Sequence, residues 1–334
     1  MVTLLKGKTP KIKDSDGKVK SKSIASLEQV LLGGIKQWLL IRGHNKDNPL
    51  LLFLHGGPGS AEMAFSYKYG RNIEKQLTVV HWDQRGAGKS FSRKIPKETV
   101  NIEQFVSDAH ELIVYLLKRF NKKKIILMGH SWGTILGTLL SQRYPELIQV
   151  FIGISQVVNT ELNEKISHKF TLDEATKEEN KKAIKQLEKL QPPYSDKKIR
   201  QLITQRKWLN YYGGAIYGQK KSWYLIKQIF GAPEYTVRDY IKFTRGTLFS
   251  ITNMWNELTE TIDFFEDATE WKIPVFFIVG RYDYNAPFEL AEKYFQLIKA
   301  PKKKFFWFEN SAHSPNYLEP EKFEKVVFSI LKEV

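Results

Sequence analysis

The chain has 334 residues, of which 42% are hydrophobic and 26% charged, enough for one large folded domain or a core with an inserted subdomain. It contains no cysteine, which excludes disulfide frameworks, thiolate metal sites and cysteine nucleophiles. The net charge of +16 comes mostly from Lys spread along the chain, as in Lys122–Lys124 and Lys302–Lys304, with no nucleic-acid motif. It therefore reads as a solvated surface, and no nucleic-acid partner is expected.

Residues 1–23 form a polar, basic arm without the apolar stretch or small-residue cleavage site of a secretory leader. No apolar run approaches the roughly 18 residues of a membrane span, so the expectation is a cytoplasmic protein without membrane partners. From Ile24 to Ile41, two alternating segments flank Gly33–Gly34 and predict a β-hairpin. Short apolar runs follow at 50–54, 77–82, 124–128, 150–154, 274–279 and 305–308. Runs without alternation suit parallel strands covered by helices on both faces. Between them, Ile102, Phe105, Ala109, Leu112, Ile113, Leu116 and Phe120 recur at helical spacing, with Asn101 placed to cap. Residues 288–298 and 320 onward behave likewise. Strand and helix in alternation predict an α/β fold with a doubly wound parallel sheet. The alternation breaks from 157 to 265, a Lys-, Glu- and aromatic-rich stretch with helical periodicity. This divides the chain into a core, 1–156 and 266–334, and an inserted helical cap.

Gly129-His130-Ser131-Trp132-Gly133 lies between an apolar strand and a helical pattern. This is the setting of a nucleophile elbow, a sharp turn that exposes a serine at the strand end. Ser131 is thus the predicted nucleophile, and it needs a base. His313 sits in the loop after the last strand and Asp283 in the loop after the strand before it, so both reach the same sheet edge as Ser131. His130, beside the nucleophile, reads as a packing residue. Two main-chain N–H groups should receive the developing oxyanion, one from Trp132 and one from Gly57 in the glycine turn 55–59. No metal and no organic cofactor is expected: no histidine pair has ligand spacing, and the glycine strings are not a dinucleotide fingerprint.

HGGPG (55–59), DQRGAGKS (83–90) and GHSWG (129–133), with GRYD (280–283) and SAHSP (311–315), together resemble the prolyl iminopeptidase family of α/β-hydrolases. The resemblance covers about 24–155 and 265–334. It implies an eight-stranded, mostly parallel sheet with a helical cap inserted after the sixth strand, and release of N-terminal residues, often proline, from short peptides. The sequence departs from that family at His130 and Thr134, where glycine and serine are usual. In such enzymes acidic cap residues hold the substrate's amino group. The insertion offers Glu161, Glu164, Glu234 and Glu257; Glu161 and Glu257 are taken as substrate-binding candidates, with Gly56, Trp208, Tyr212, Trp223 and Trp255. Asp83 and Arg85 are expected to brace loops and not to react. An esterase, lactonase or amidase acting on a small apolar substrate is the alternative, and a non-catalytic ligand-binding protein a remoter one.

Overall fold

The computed structural model describes residues 7–195, 199–218, 227 and 229–334. Strands β1 (Ile24–Leu32) and β2 (Ile35–Gly43) form the predicted hairpin, joined at Gly33 and Gly34, both at positive φ. There follow β3 (Leu50–Leu54), β4 (Thr78–Asp83), α1 (Ile102–Phe120), β5 (Ile125–His130), α2 (Trp132–Arg143) and β6 (Ile148–Ile154). Helices α3 (Thr160–Lys177), α4 (Lys181–Leu187), α5 (Ile199–Tyr211), α6 (Val237–Thr261) and α7 (Phe264–Asp267) come before β7 (Val275–Gly280). The chain ends with α8 (Phe288–Leu297), β8 (Lys303–Phe308), α9 (Pro315–Leu318) and α10 (Pro320–Leu331).

The eight strands form one sheet in the order β1-β2-β4-β3-β5-β6-β7-β8. The two pairs β1–β2 and β2–β4 are antiparallel; from β4 to β8 every pair is parallel. This is the α/β-hydrolase fold with its mostly parallel sheet. The central runs lack alternation because both faces are covered. In β3, Leu50, Leu52 and Leu54 pack with Phe105, Ala109, Leu112 and Leu116 of α1 on one side. Leu51 and Phe53 pack on the other side, in the layer that holds Phe323, Val327 and Ile330 of α10. Asn101 caps α1 as expected, its side chain accepting the Gln104 N–H. Among the described residues no helix is long and apolar enough to cross a membrane.

Between β6 and β7 the inserted helices rise from one edge of the sheet, and a bridge between Asn159 and Asp263 joins their two ends. Apolar periodicity is weak in α3 because its buried face is polar: Thr160, Asn163, Glu164, Ser167 and Thr171. Helix α6 starts with a capping box in which Thr236 and Asp239 each bond the other's main-chain N–H.

Arg85 and Asp108 carry the tie between the β4 loop and α1. Both are fully buried, and Arg85 donates Nε to Oδ2 at 2.9 Å and Nη2 to Oδ1 at 3.0 Å. Arg85 also donates to Gly33 C=O at 2.8 Å, and Gln37 donates to Asp108 at 2.6 Å. Removing one member of such a pair strands the other charge without water. Asp108→Ala is expected to lower the unfolding free energy by about 3–5 kcal/mol, read from the urea midpoint of the variant against wild type.

Candidate active site

Residues 129–133 turn so tightly that side chains are excluded at both ends. A Cβ on Gly129 would lie 2.3 Å from Gly133 C=O, and one on Gly133 would lie 2.1 Å from Leu54 C=O. Ser131 itself sits at φ 55°, ψ −119°, a conformation a side-chain-bearing residue rarely adopts. Its N–H donates to Ile154 C=O on β6 at 3.0 Å, and its C=O accepts the Thr134 N–H at 2.7 Å and Thr134 Oγ1–H at 2.6 Å. The backbone is fixed at both ends while Oγ is left at the N-terminus of α2.

The loops after β7 and β8 bring two further side chains to Ser131. His313 Nε2 lies 2.9 Å from Ser131 Oγ, and His313 Nδ1 lies 3.0 and 3.1 Å from the two Asp283 oxygens. Asp283 is fully buried, and its Oδ1 also accepts main-chain N–H groups of Asn285 (3.0 Å) and Ala286 (2.8 Å). A carboxylate offers no proton, so Nδ1 of the neutral ring carries one and Nε2 presents its lone pair to the serine hydroxyl. That tautomer can take a proton from Ser131.

Gly57 and Trp132 both line the cleft that holds Ser131. Gly57 is at φ 122°, and a Cβ there would fall 2.5 Å from the N atoms of Gly59 and Ser60. The loop is held from below by His55 and Gln84. His55 Nδ1 donates to Gly56 C=O at 2.7 Å and Nε2 accepts the Gln84 N–H at 3.2 Å. Burial pushes its pKa down to about 4, so the ring is neutral, as one donated and one accepted bond require. Gln84 Oε1 in turn accepts Trp132 Nε1–H at 2.9 Å, linking the glycine turn to the elbow. Asp83 accepts bonds from Tyr235 Oη and, at 2.8 Å, Lys89 N–H, and burial pushes it up to about 7. Asp83 and Arg85 therefore brace loops, as expected.

The cleft is about 130 Å³. Its lining is apolar at Ile135, Val157, Leu202, Ile251, Trp255 and Leu258 and polar at Thr160, Asn163, Glu164, Arg206 and Asn285. Glu164 is 1% exposed; its Oε1 accepts Arg206 Nη2–H at 2.5 Å and Asn163 Nδ2–H at 3.2 Å, while its Oε2 has no partner among the described residues.

Several sequence-predicted binding residues lie elsewhere. Glu161 is off the buried face of α3 and pairs with Lys165 at 2.6 Å in solvent. Glu257 accepts the Ile102 N–H at 3.1–3.2 Å, acting as an anion at the start of α1. Trp208 packs on Ala175, Ala183 and Leu187 among α3, α4 and α5, donating Nε1–H to Gln186 at 2.9 Å. Tyr212 lines a separate groove with Phe170, Tyr211 and Tyr284. The Gly56 N–H is not open to substrate, because it donates to Glu62 Oε1 at 2.8 Å. Trp223 lies outside the described residues. Of the aromatic candidates, Trp255 does reach the cleft. His130 is no simple packing residue: Nδ1 meets Glu62 Oε1 at 2.8 Å and Nε2 meets His313 C=O at 2.7 Å. Glu62, Gln84 and Arg206 were not singled out from sequence. Gln84 lies within DQRGAGKS, from which only Asp83 and Arg85 are singled out, and no motif covers Glu62 or Arg206.

The family model described as alpha/beta hydrolase fold matches residues 49–320. A relative named "Probable aminopeptidase YbaC" from Bacillus subtilis (strain 168) is 36% identical over 304 residues, covering 90% of this chain and 95% of its own. A proline iminopeptidase of Heyndrickxia coagulans is 26% identical over 297 residues, covering 85% and 91%. Among solved structures, the epoxide hydrolase VrEH1 from Vigna radiata superposes with a TM-score of 0.62 at 17% identity, covering 95% of this chain and 100% of its own. That likeness speaks for the fold alone, which hosts more than one chemistry. The chain belongs to the α/β-hydrolase family and is similar there to proteins named as aminopeptidases and proline iminopeptidases.

Proposed function

We propose that this chain is a serine aminopeptidase that removes N-terminal residues from short peptides through an acyl-enzyme. The observation that carries the peptidase part is Glu164, a buried carboxylate with one oxygen unpartnered among the described residues, in the cleft that holds Ser131. A substrate ammonium supplies the donor that Oε2 lacks, and the apolar lining residues, Ile135, Val157, Leu202, Ile251, Trp255 and Leu258, accept the first side chain, a proline ring included. The names of the relatives agree with this reading.

In the proposed reaction Ser131 Oγ attacks the carbonyl carbon of the first residue while its proton passes to His313 Nε2. Asp283 holds the imidazolium that results. Gly57 and Trp132 N–H groups receive the oxyanion. His313 then gives its proton to the leaving amine, and the peptide shortened by one residue departs. Water attacks the acyl-serine, its proton taken by His313, and Ser131 is regenerated as the free amino acid leaves. Epoxide hydrolases normally place an aspartate at the elbow, so Ser131 points to acyl transfer.

A second reading has its own observation. Arg206 already meets Glu164 Oε1 at 2.5 Å. A guanidinium there offsets the carboxylate's charge and suits a neutral ester or amide. Glu164→Gln separates the two. For the aminopeptidase, kcat/KM on amino-acid arylamides is expected to fall about 10- to 100-fold, the worth of a charge-assisted hydrogen bond. Turnover of a short-chain aryl ester should change less than about threefold, since no ammonium is involved. Equal effects on the two substrates, or preference for N-acetylated over free arylamides in wild type, would favour the neutral-substrate reading.

A further inference from the structure

We propose that Glu62 and His130 form a buried carboxylate–imidazolium pair that positions the catalytic base by tying three active-site loops together. The inference rests on the Ser131–His313–Asp283 reading. Its observation is a count of donors. Both His130 ring nitrogens face acceptors, Glu62 Oε1 at 2.8 Å and His313 C=O at 2.7 Å. A neutral imidazole has one N–H and one lone pair, so it can serve one of these and must repel the other. With Glu62 ionised, only the doubly protonated ring satisfies both.

Glu62 is built to be the counter-charge. It is 5% exposed, and its Oε1 also accepts the Gly56 N–H at 2.8 Å while its Oε2 accepts Tyr317 Oη–H at 2.5 Å. The pair thus joins the glycine turn (Gly56), the elbow (His130) and the base loop, where His313 C=O also takes Ser155 Oγ–H at 3.0 Å. Besides Glu62, the titratable groups facing His130 are His313, with ring centroids 5.1 Å apart, Tyr317 at 6.4 Å, His55 and Asp283. His55 is neutral, and burial together with Glu62 holds the Tyr317 proton in place.

The electrostatics agree with the geometry. Burial alone would push the His130 pKa down, but Glu62 and the His313 carbonyl outweigh it and raise the value. Burial pushes Glu62 up, and His130, Tyr317 and Gly56 outweigh that, bringing it to about 2. The signs define a window. The raised histidine contributes fully below its ordinary value near 6.5 and is lost as pH rises through the folded value. The depressed carboxylate contributes above the ordinary Glu range and is lost as pH falls toward about 2. Above the window His130 drops one N–H, and either the link to Glu62 or the link to His313 opens.

Two measurements test this. Nitrogen NMR of histidine-labelled wild type at a pH below the ordinary histidine value of about 6.5 should show both ring nitrogens of His130 protonated, the signals assigned by their loss in His130→Gln. One unprotonated ring nitrogen would overturn the pair whatever the protein hydrolyses. The rate at which a fluorophosphonate modifies Ser131 is then followed against pH. Glu62→Gln should move the basic limb of this profile down by about one to three units, the shift expected for loss of an adjacent opposite charge. A loss independent of pH would mean that Glu62 merely supports the fold, and would overturn the positioning role. If wild type is not modified at Ser131, the triad reading fails, and the NMR result still decides whether the ion pair exists.

Discussion

Changing Ser131 to alanine is expected to lower kcat/KM by about 10⁴- to 10⁶-fold on any substrate the protein turns over, as loss of a triad serine does elsewhere. The variant should fold. Among the described residues Ser131 Oγ has a single side-chain partner, His313, at 2.9 Å, and the turn is held by the main-chain bonds Ser131 N–H to Ile154 C=O and Thr134 N–H to Ser131 C=O, which alanine keeps. The strained φ of 55° is no worse for alanine than for serine. Residual activity would come from the oxyanion donors and the cleft, which the substitution leaves in place. Steady-state kinetics on an arylamide and an aryl ester, with circular dichroism to verify folding, reads the effect. Activity within about tenfold of wild type on both would remove Ser131 from the mechanism.

Asp283→Asn should cost nearly as much, about 10⁴-fold in kcat, through the proton and not the shape. The main-chain N–H groups of Asn285 and Ala286 aim at Oδ1, at 3.0 and 2.8 Å. They fix the amide oxygen of an asparagine there and turn its NH₂ toward His313 Nδ1. That nitrogen must then accept, the ring proton moves to Nε2, and the atom facing Ser131 becomes a donor that cannot take the hydroxyl proton. The kcat of the purified variant checks this, with an unfolding midpoint close to that of wild type showing that the site is otherwise intact.

The fold could be read from sequence where burial on both faces leaves a signature. Runs such as Leu50–Leu54 and Val275–Val279 have no alternation, and in the structure they are inner parallel strands. That Ser131, Asp283 and His313 meet could be anticipated because each sits at the end of a predicted strand, and strand ends share one edge of a parallel sheet. The cleft could not be read in the same way. Helix α3 turns Thr160, Asn163, Glu164 and Ser167 inward, so its buried face carries no apolar stripe, and the exposed Glu161 looked equivalent to Glu164. Trp208 and Trp255 were alike as aromatics on helices, yet one closes a contact among α3, α4 and α5 and the other a wall of the cleft. The Glu62–His130 contact spans 68 residues of sequence and depends on where a short turn puts one carboxylate, which no local pattern records. His130 drew attention as a departure from the resembling family. Its partner became visible only in three dimensions.

The most direct test of the account is to treat the protein with a fluorophosphonate and map the modified peptide by mass spectrometry, beside Ser131→Ala. The expected result is one adduct per chain, on the peptide carrying Ser131, with hydrolytic activity lost in step and no adduct on the variant. An adduct on another residue, or full activity after Ser131 is blocked, would contradict it.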